Sequence, residues 1–154
     1  MRRPSTRGSD DASGCSDGVV LLVTAIVGSK MCDPESEYRE ILELMEDCKF
    51  SEAAPRLAAL VKVSPDARFH AAYGICLQKL ERWSDSVQQF EAALALKPAY
   101  CEADWRNMLA ESWLQDGQKV RAIEQWRIVA DMEPSYPNRD FPIDEAKRML
   151  ERFA

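Results

Sequence analysis

One histidine, His70, and five cysteines, at positions 15, 32, 48, 76 and 101, are the side chains with the widest chemical reach in this 154-residue chain. A histidine beside a carboxylate can shuttle protons or ligate a metal, and a cysteine beside a base can act as a nucleophile. Neither constellation is in place. His70 has no second histidine to share a metal, and the cysteines are odd in number, widely spaced and without a C-x-x-C pair, so neither a structural zinc site nor a disulfide framework is indicated. Reduced thiols are the expectation: Cys76 as a small hydrophobe on the inner side of a helix, Cys48 in a turn. The carboxylates recur at helical intervals with no pair held for acid–base work. A glycine-rich phosphate loop, G-x-S-x-G and H-E-x-x-H are all missing. The chain therefore reads as a non-enzyme with no cofactor and no metal.

Charge narrows the partners. The formal net charge is −6. Residues 31–154 carry sixteen basic and twenty-three acidic residues, a balance of −7, so the acidity lies in this part. Phosphate neutralisation needs clustered Lys and Arg, and a nucleic-acid face is excluded. Basic partners fit better.

The elements that position these residues show in three windows, "AAPRLAALVKVSP", "SVQQFEAALALKP" and "AIEQWRIVADMEP". In each, a small residue is followed by a large apolar one four places on, a packing residue three further, and a proline five further. The positions are Ala53, Leu57, Leu60 and Pro65; Ser86, Phe90, Ala93 and Pro98; Ala122, Trp126, Val129 and Pro134. Offsets of four and seven keep large side chains on one helical face, and proline, lacking an N–H, stops the helix. A second helix precedes each window. In "RFHAAYGICLQKL" the spacing sets His70, Tyr73, Gly74, Leu77 and Leu80 on one side, and a mid-helix glycine, which costs about 1 kcal/mol against alanine, signals a close helix–helix approach at Gly74. Unit one places Tyr38, Ile41, Leu42 and Met45 on the core side. Of the tryptophans, Trp113 and Trp126 take packing positions, Trp83 follows a helix end, and Trp105 is expected to be exposed for contact.

This pattern resembles the tetratricopeptide repeat (TPR), W-x2-L-G-x2-Y, A-x3-F, then P over about 34 residues. Residues 67–100 are the clearest copy, with His70 standing where the family prefers tryptophan; 101–136 matches through Leu109, Ala110 and Trp113 with about two extra residues near "AYCEADW"; and 35–66 matches with a turn one residue short. The resemblance implies an all-α fold, a right-handed superhelix of three helix hairpins over 34–136. A C-terminal capping helix over 137–154 would follow, with Pro142 opening it and Ile143, Ala146, Leu150 and Phe153 as its apolar stripe. Without that cap the last repeat would expose side chains worth about 1.5–3 kcal/mol each when buried.

Function follows as an implication of the resemblance: binding, with the first helices lining a groove that takes a peptide segment of another protein. The family's groove positions fall on Arg39, Glu40, Glu43, Glu46 and Asp47; on Arg68, Ala72, Ile75 and Lys79; and on Asp104, Asn107, Met108, Glu111 and Leu114. An acidic end and a small apolar middle suit a ligand with basic residues and apolar anchors. Family members that clamp acidic chaperone tails carry Lys, Asn and Arg where this chain has Arg39, Glu43, Ala72, Asp104 and Met108; only Arg39 is compatible. A cytoplasmic adaptor or scaffold is one expectation. The other is a small acidic secretion chaperone, which the chain resembles in size, charge and the "RFHAAYGICLQ" region: the three-repeat chaperones of type III translocator subunits.

Residues 1–33 form a separate N-terminal segment. "MRRPSTRGSDDASGCSDG" is rich in Ser, Gly and Asp and reads as disordered. The run "VVLLVTAIV" at 19–27 is far short of the roughly 20 residues that span a bilayer, so no membrane span is expected. Arg2, Arg3 and Arg7 could serve a signal, but Asp10, Asp11 and Asp17 intervene and no small-x-small cleavage site follows. Three alternatives stand: membrane association or export through residues 1–30, a tethered assembly factor using 19–27, or translation from Met31. The sequence does not set the oligomeric state.

Overall fold

A computed structural model describes residues 33–154. The readings of residues 1–32, including the apolar run and the start at Met31, lie outside the described residues. The chain divides into two units, Met1–Glu37 and Tyr38–Ala154, of which the second is described throughout. Of the first, the described residues open a helix: Pro34 follows Asp33, whose carboxylate accepts the Ser36 N–H at 3.3 Å, with Glu35 and Glu37 in the positive first turn.

The described residues are helical, with no strand among them. The elements are α1 Pro34–Glu46, α2 Phe50–Val63, α3 Ala67–Lys79, α4 Trp83–Ala95, α5 Glu102–Gln115, α6 Lys119–Ala130 and α7 Phe141–Phe153. Three hairpins and a closing helix follow in chain order, the all-α arrangement anticipated from the repeats. The prolines at 65, 98 and 134 fall two to four residues beyond the ends of α2, α4 and α6.

All nine apolar or small landmarks of the three windows are buried. They explain why the hairpins stack. Each hairpin leaves an apolar face that only the next helix can cover, and the core accordingly falls into three clusters. Ile41, Leu57 and Leu60 meet Phe69 and Cys76 of α3. Val87 and Phe90 meet Trp105 and Leu109 of α5. Ala122, Trp126 and Val129 meet Ile143 and Ala146 of α7, while Leu150 and Phe153 pack at the margin of this last cluster. The cap thus supplies what a fourth repeat would have supplied.

The three hairpin turns are the same motif. Cys48, Glu81 and Gly117 each hold a left-handed backbone, with φ of 60°, 58° and 84°. The next N–H reaches back five residues: Lys49 to the Leu44 carbonyl at 2.8 Å, Arg82 to Leu77 at 2.8 Å and Gln118 to Trp113 at 2.7 Å. This is the Schellman closure, which satisfies carbonyls left over at a helix end. Only the third turn uses glycine.

A polar thread crosses the apolar middle. Ser86 Oγ donates to the Gly74 carbonyl at 2.9 Å and lies 3.0 Å from Ser112 Oγ. Gln78 Nε2 donates to Ser112 Oγ and to the Met108 carbonyl, both at 2.8 Å. These bonds tie α3, α4 and α5 at one level, and being fully partnered they do not penalise burial.

Some expected placements differ. Phe69, not His70, enters the core; His70 is half-buried with Nδ1 2.9 Å from Gln89 Oε1. The two positions are about 100° apart around a helix, so a small rotation of α3 decides between them, and the larger apolar ring takes the interior. Leu42 is 36% exposed, and Leu44 packs in its place beside Tyr38 and Met45. Trp105, expected outside, is 9% exposed and sits among Phe90, Ala93 and Leu109.

Candidate functional site

Helix α5 supplies one wall of a cavity of about 460 Å³, α7 supplies the other, and Trp126 of α6 joins them. Asp104, Asn107, Met108, Glu111, Leu114 and Gln115 come from α5, one face repeating at three and four residues. Phe141, Glu145, Met149, Arg152 and Phe153 come from α7. The volume lies within the range of ordinary ligand sites, about 300–1,000 Å³.

Two hydrogen bonds fix the walls. Asn138 Nδ2, in the α6–α7 loop, donates to Asp104 Oδ1 at 2.7 Å. Asn107 Nδ2 donates to the Pro142 carbonyl at 2.8 Å, in the first turn of α7. The carbonyl must face an N–H, so this contact sets the orientation of the Asn107 amide. Its other end, Oδ1, is buried without a hydrogen-bond partner among the described residues. An unanswered buried acceptor costs about 1–3 kcal/mol, which a donor arriving from outside would relieve.

The surfaces of the cavity are mixed. Trp126 stacks on Phe153, centroids 5.8 Å apart and planes 15° from parallel. Arg152 lies over the Phe153 ring at 5.0 Å. Met108, Met149 and Leu114 add flexible and branched apolar surface, and Phe141 stands exposed. Three carboxylates, Asp104, Glu111 and Glu145, share the lining with one guanidinium, Arg152.

A second, mainly apolar recess of about 270 Å³ is lined by Asp66, Ala67 and Arg68 at the start of α3, by Pro98, Ala99, Tyr100 and Cys101, and by Trp105. Arg68 is held there: its Nη2 meets Asp66 Oδ2 at 2.7 Å, and that contact holds the Asp66 carboxyl below its ordinary range. The Asp66 side chain also caps α3 through the Arg68 N–H at 2.8 Å.

The residues named from the sequence as groove positions are thus divided. Asp104, Asn107, Met108, Glu111 and Leu114 are brought together in the α5–α7 cavity. Arg68 lines the other recess. Ala72 is buried in the first core cluster, Ile75 packs beside the α3–α5 cluster, and Lys79 is exposed. On α1 and just after it, Arg39, Glu40, Glu43, Glu46 and Asp47 are all exposed. Glu40 is engaged by Arg56 Nη2 of α2 at 2.8 Å, and Asp47 by Lys49 Nζ at 3.1 Å. None of the α1 or α3 positions is in the wall of the larger cavity. Of the α7 wall only Phe153 belongs to the stripe that the sequence marks at 143, 146, 150 and 153. The signal was there: positions 141, 145, 149 and 152 make a second stripe at helical spacing beside the first.

No protein-family model matches the sequence, and no curated protein matches it. Solved structures do. The type III secretion translocator chaperone SycD of Yersinia enterocolitica superposes with a TM-score of 0.70 at 19% identity, over 77% of this chain and 81% of that one. PcrH of Pseudomonas aeruginosa, in complex with the chaperone binding region of PopD, gives 0.68 at 23% identity, over 77% and 89%. A T3SS complex from Aeromonas hydrophila gives 0.72 at 19% identity, over 89% and 95%. At these identities the likeness establishes the fold, a TPR-like array of helical hairpins, and that alone.

Proposed function

We propose that this protein belongs to the tetratricopeptide-repeat class, with repeats at about 35–66, 67–100 and 101–136, and binds a segment of a partner protein rather than catalysing a reaction. The observation that carries the reading is the α5–α7 cavity: walls fixed by two hydrogen bonds, a lining that mixes apolar side chains with carboxylates, and an unanswered buried acceptor. Rigid walls with adaptable methionines suit an unfolded segment, because the protein loses little order on binding. The exposed α1 positions, Arg39 to Asp47, and Lys79 of α3 extend the proposed contact surface.

Within that reading an adaptor and a secretion chaperone differ in the state of the partner. The neighbours favour the chaperone: SycD is solved with a peptide of the translocator YopD, and PcrH with the chaperone binding regions of PopD and PopB. A chaperone's client precipitates when expressed alone, whereas an adaptor's partner stays folded and soluble. The proposal carries a cytoplasmic location, which fractionation of native cells checks; among the described residues no helix is long and apolar enough to cross a membrane.

The test is capture of the partner by the full chain from native cells, followed by amide hydrogen exchange of the purified complex. Slower exchange over Glu102–Gln115 and Phe141–Phe153 is expected on binding. Unchanged exchange in both helices would discard the site.

A further inference from the structure

We infer that the α5–α7 cavity is an anchor site for a lysine or arginine side chain of the bound segment, its stem over the methionines and its charged head among the carboxylates. The inference rests on the peptide-binding reading and specifies its chemistry at this site.

Charge is the first argument. Three carboxylates line the cavity against the single guanidinium of Arg152. Asp104 is already engaged by Asn138. Glu111 and Glu145 are in no ion pair among the described residues, whereas other carboxylates of the chain, such as Glu40, Asp66, Asp85 and Glu102, have arginine partners. A neutral apolar occupant would strip water from Glu111 and Glu145 and return nothing, and an acidic occupant would add repulsion. A cation compensates them.

Hydrogen bonding is the second, independent argument. Asn107 is 7% exposed, its amide nitrogen is committed to Pro142, and its buried oxygen can only accept. A ligand group that reaches this oxygen has to donate a hydrogen bond, as ammonium and guanidinium groups do and carboxylates do not. Shape supplies the third. Met108, Met149 and Leu114 add apolar surface to the same lining as the carboxylates, which suits a side chain with a methylene stem and a charged end.

The experiment pans a phage-displayed library of random dodecamers on the full 154-residue chain, then measures synthetic versions of the enriched peptides by fluorescence anisotropy. Enriched peptides are expected to carry a Lys or Arg flanked by apolar residues. Replacing that residue by norleucine should weaken binding about tenfold to the native chain and less than about twofold to the Glu111→Gln/Glu145→Gln variant. The norleucine comparison on the native chain needs no variant and stands whether or not the variant folds. Enriched peptides without a basic residue, or norleucine peptides that bind the native chain as tightly, would overturn the anchor while leaving peptide binding intact. A library that yields no binder would remove the binding reading as well.

Discussion

A Cβ built on Gly74 would stand 2.9 Å from Cε2 of the Phe90 ring, and 3.0 Å from two more of its carbons. Helices α3 and α4 meet face to face at this point, and Phe90 is fully buried, so the ring has no open space to turn into. Gly74→Ala gains about 1 kcal/mol of helix propensity but overpacks a closed contact, which costs about 1–3 kcal/mol. Urea unfolding is expected to show a net loss of about 1 kcal/mol, partly recovered when Phe90→Leu is added. An alanine variant more stable than the native chain would mean that the ring gives way.

The three turns offer a cleaner case, because packing is not involved. Gly117 has nothing within 4 Å of a built Cβ, yet its φ is +84°. Gly117→Ala should therefore lose about 1 kcal/mol through the backbone alone. The reverse change, Glu81→Gly at φ 58°, should gain up to about 1 kcal/mol. Opposite shifts in the urea midpoint, with equal slopes, are the expected readout.

Burial pushes the Cys76 thiol from an ordinary 9.0 up to about 11. Between these values the unfolded chain has released the proton and the folded chain has kept it. The contribution of the neutral buried thiol is therefore intact below pH 9 and lost as pH rises towards 11. Native stability should fall over this window more steeply than that of Cys76→Ala, by on the order of 2 kcal/mol near its upper end. Mass-mapped alkylation at pH 8 should modify the exposed Cys48 quickly and Cys76 only on unfolding; equal rates would contradict the burial argument.

Much of the fold was legible because the repeat is a packing rule written three times. Ala53, Ser86 and Ala122 are small where helices cross, Leu57, Phe90 and Trp126 fill the seam, and all six are buried as their spacing required. What was not legible depends on small rotations or on backbone alone. Phe69 and His70 are neighbours in sequence, and the motif's preference for a large ring at position 70 is met here one residue earlier. The turn conformation at Cys48 and Glu81 left no trace, since neither is the glycine that usually marks it. For the cavity, the α5 positions were readable from the family's first-helix face, whereas Glu145, Met149 and Arg152 lie on α7 beside the apolar stripe, outside any position the repeat motif defines.

Photo-crosslinking in native cells asks the central question most directly. Benzoylphenylalanine in place of Met108, in the cavity wall, should crosslink to one discrete partner. The same group in place of Val120, 71% exposed at the start of α6 and outside that wall, should not. No adduct from position 108, or an equal adduct from position 120, would contradict the claim that this protein works by holding a partner's segment between α5 and α7.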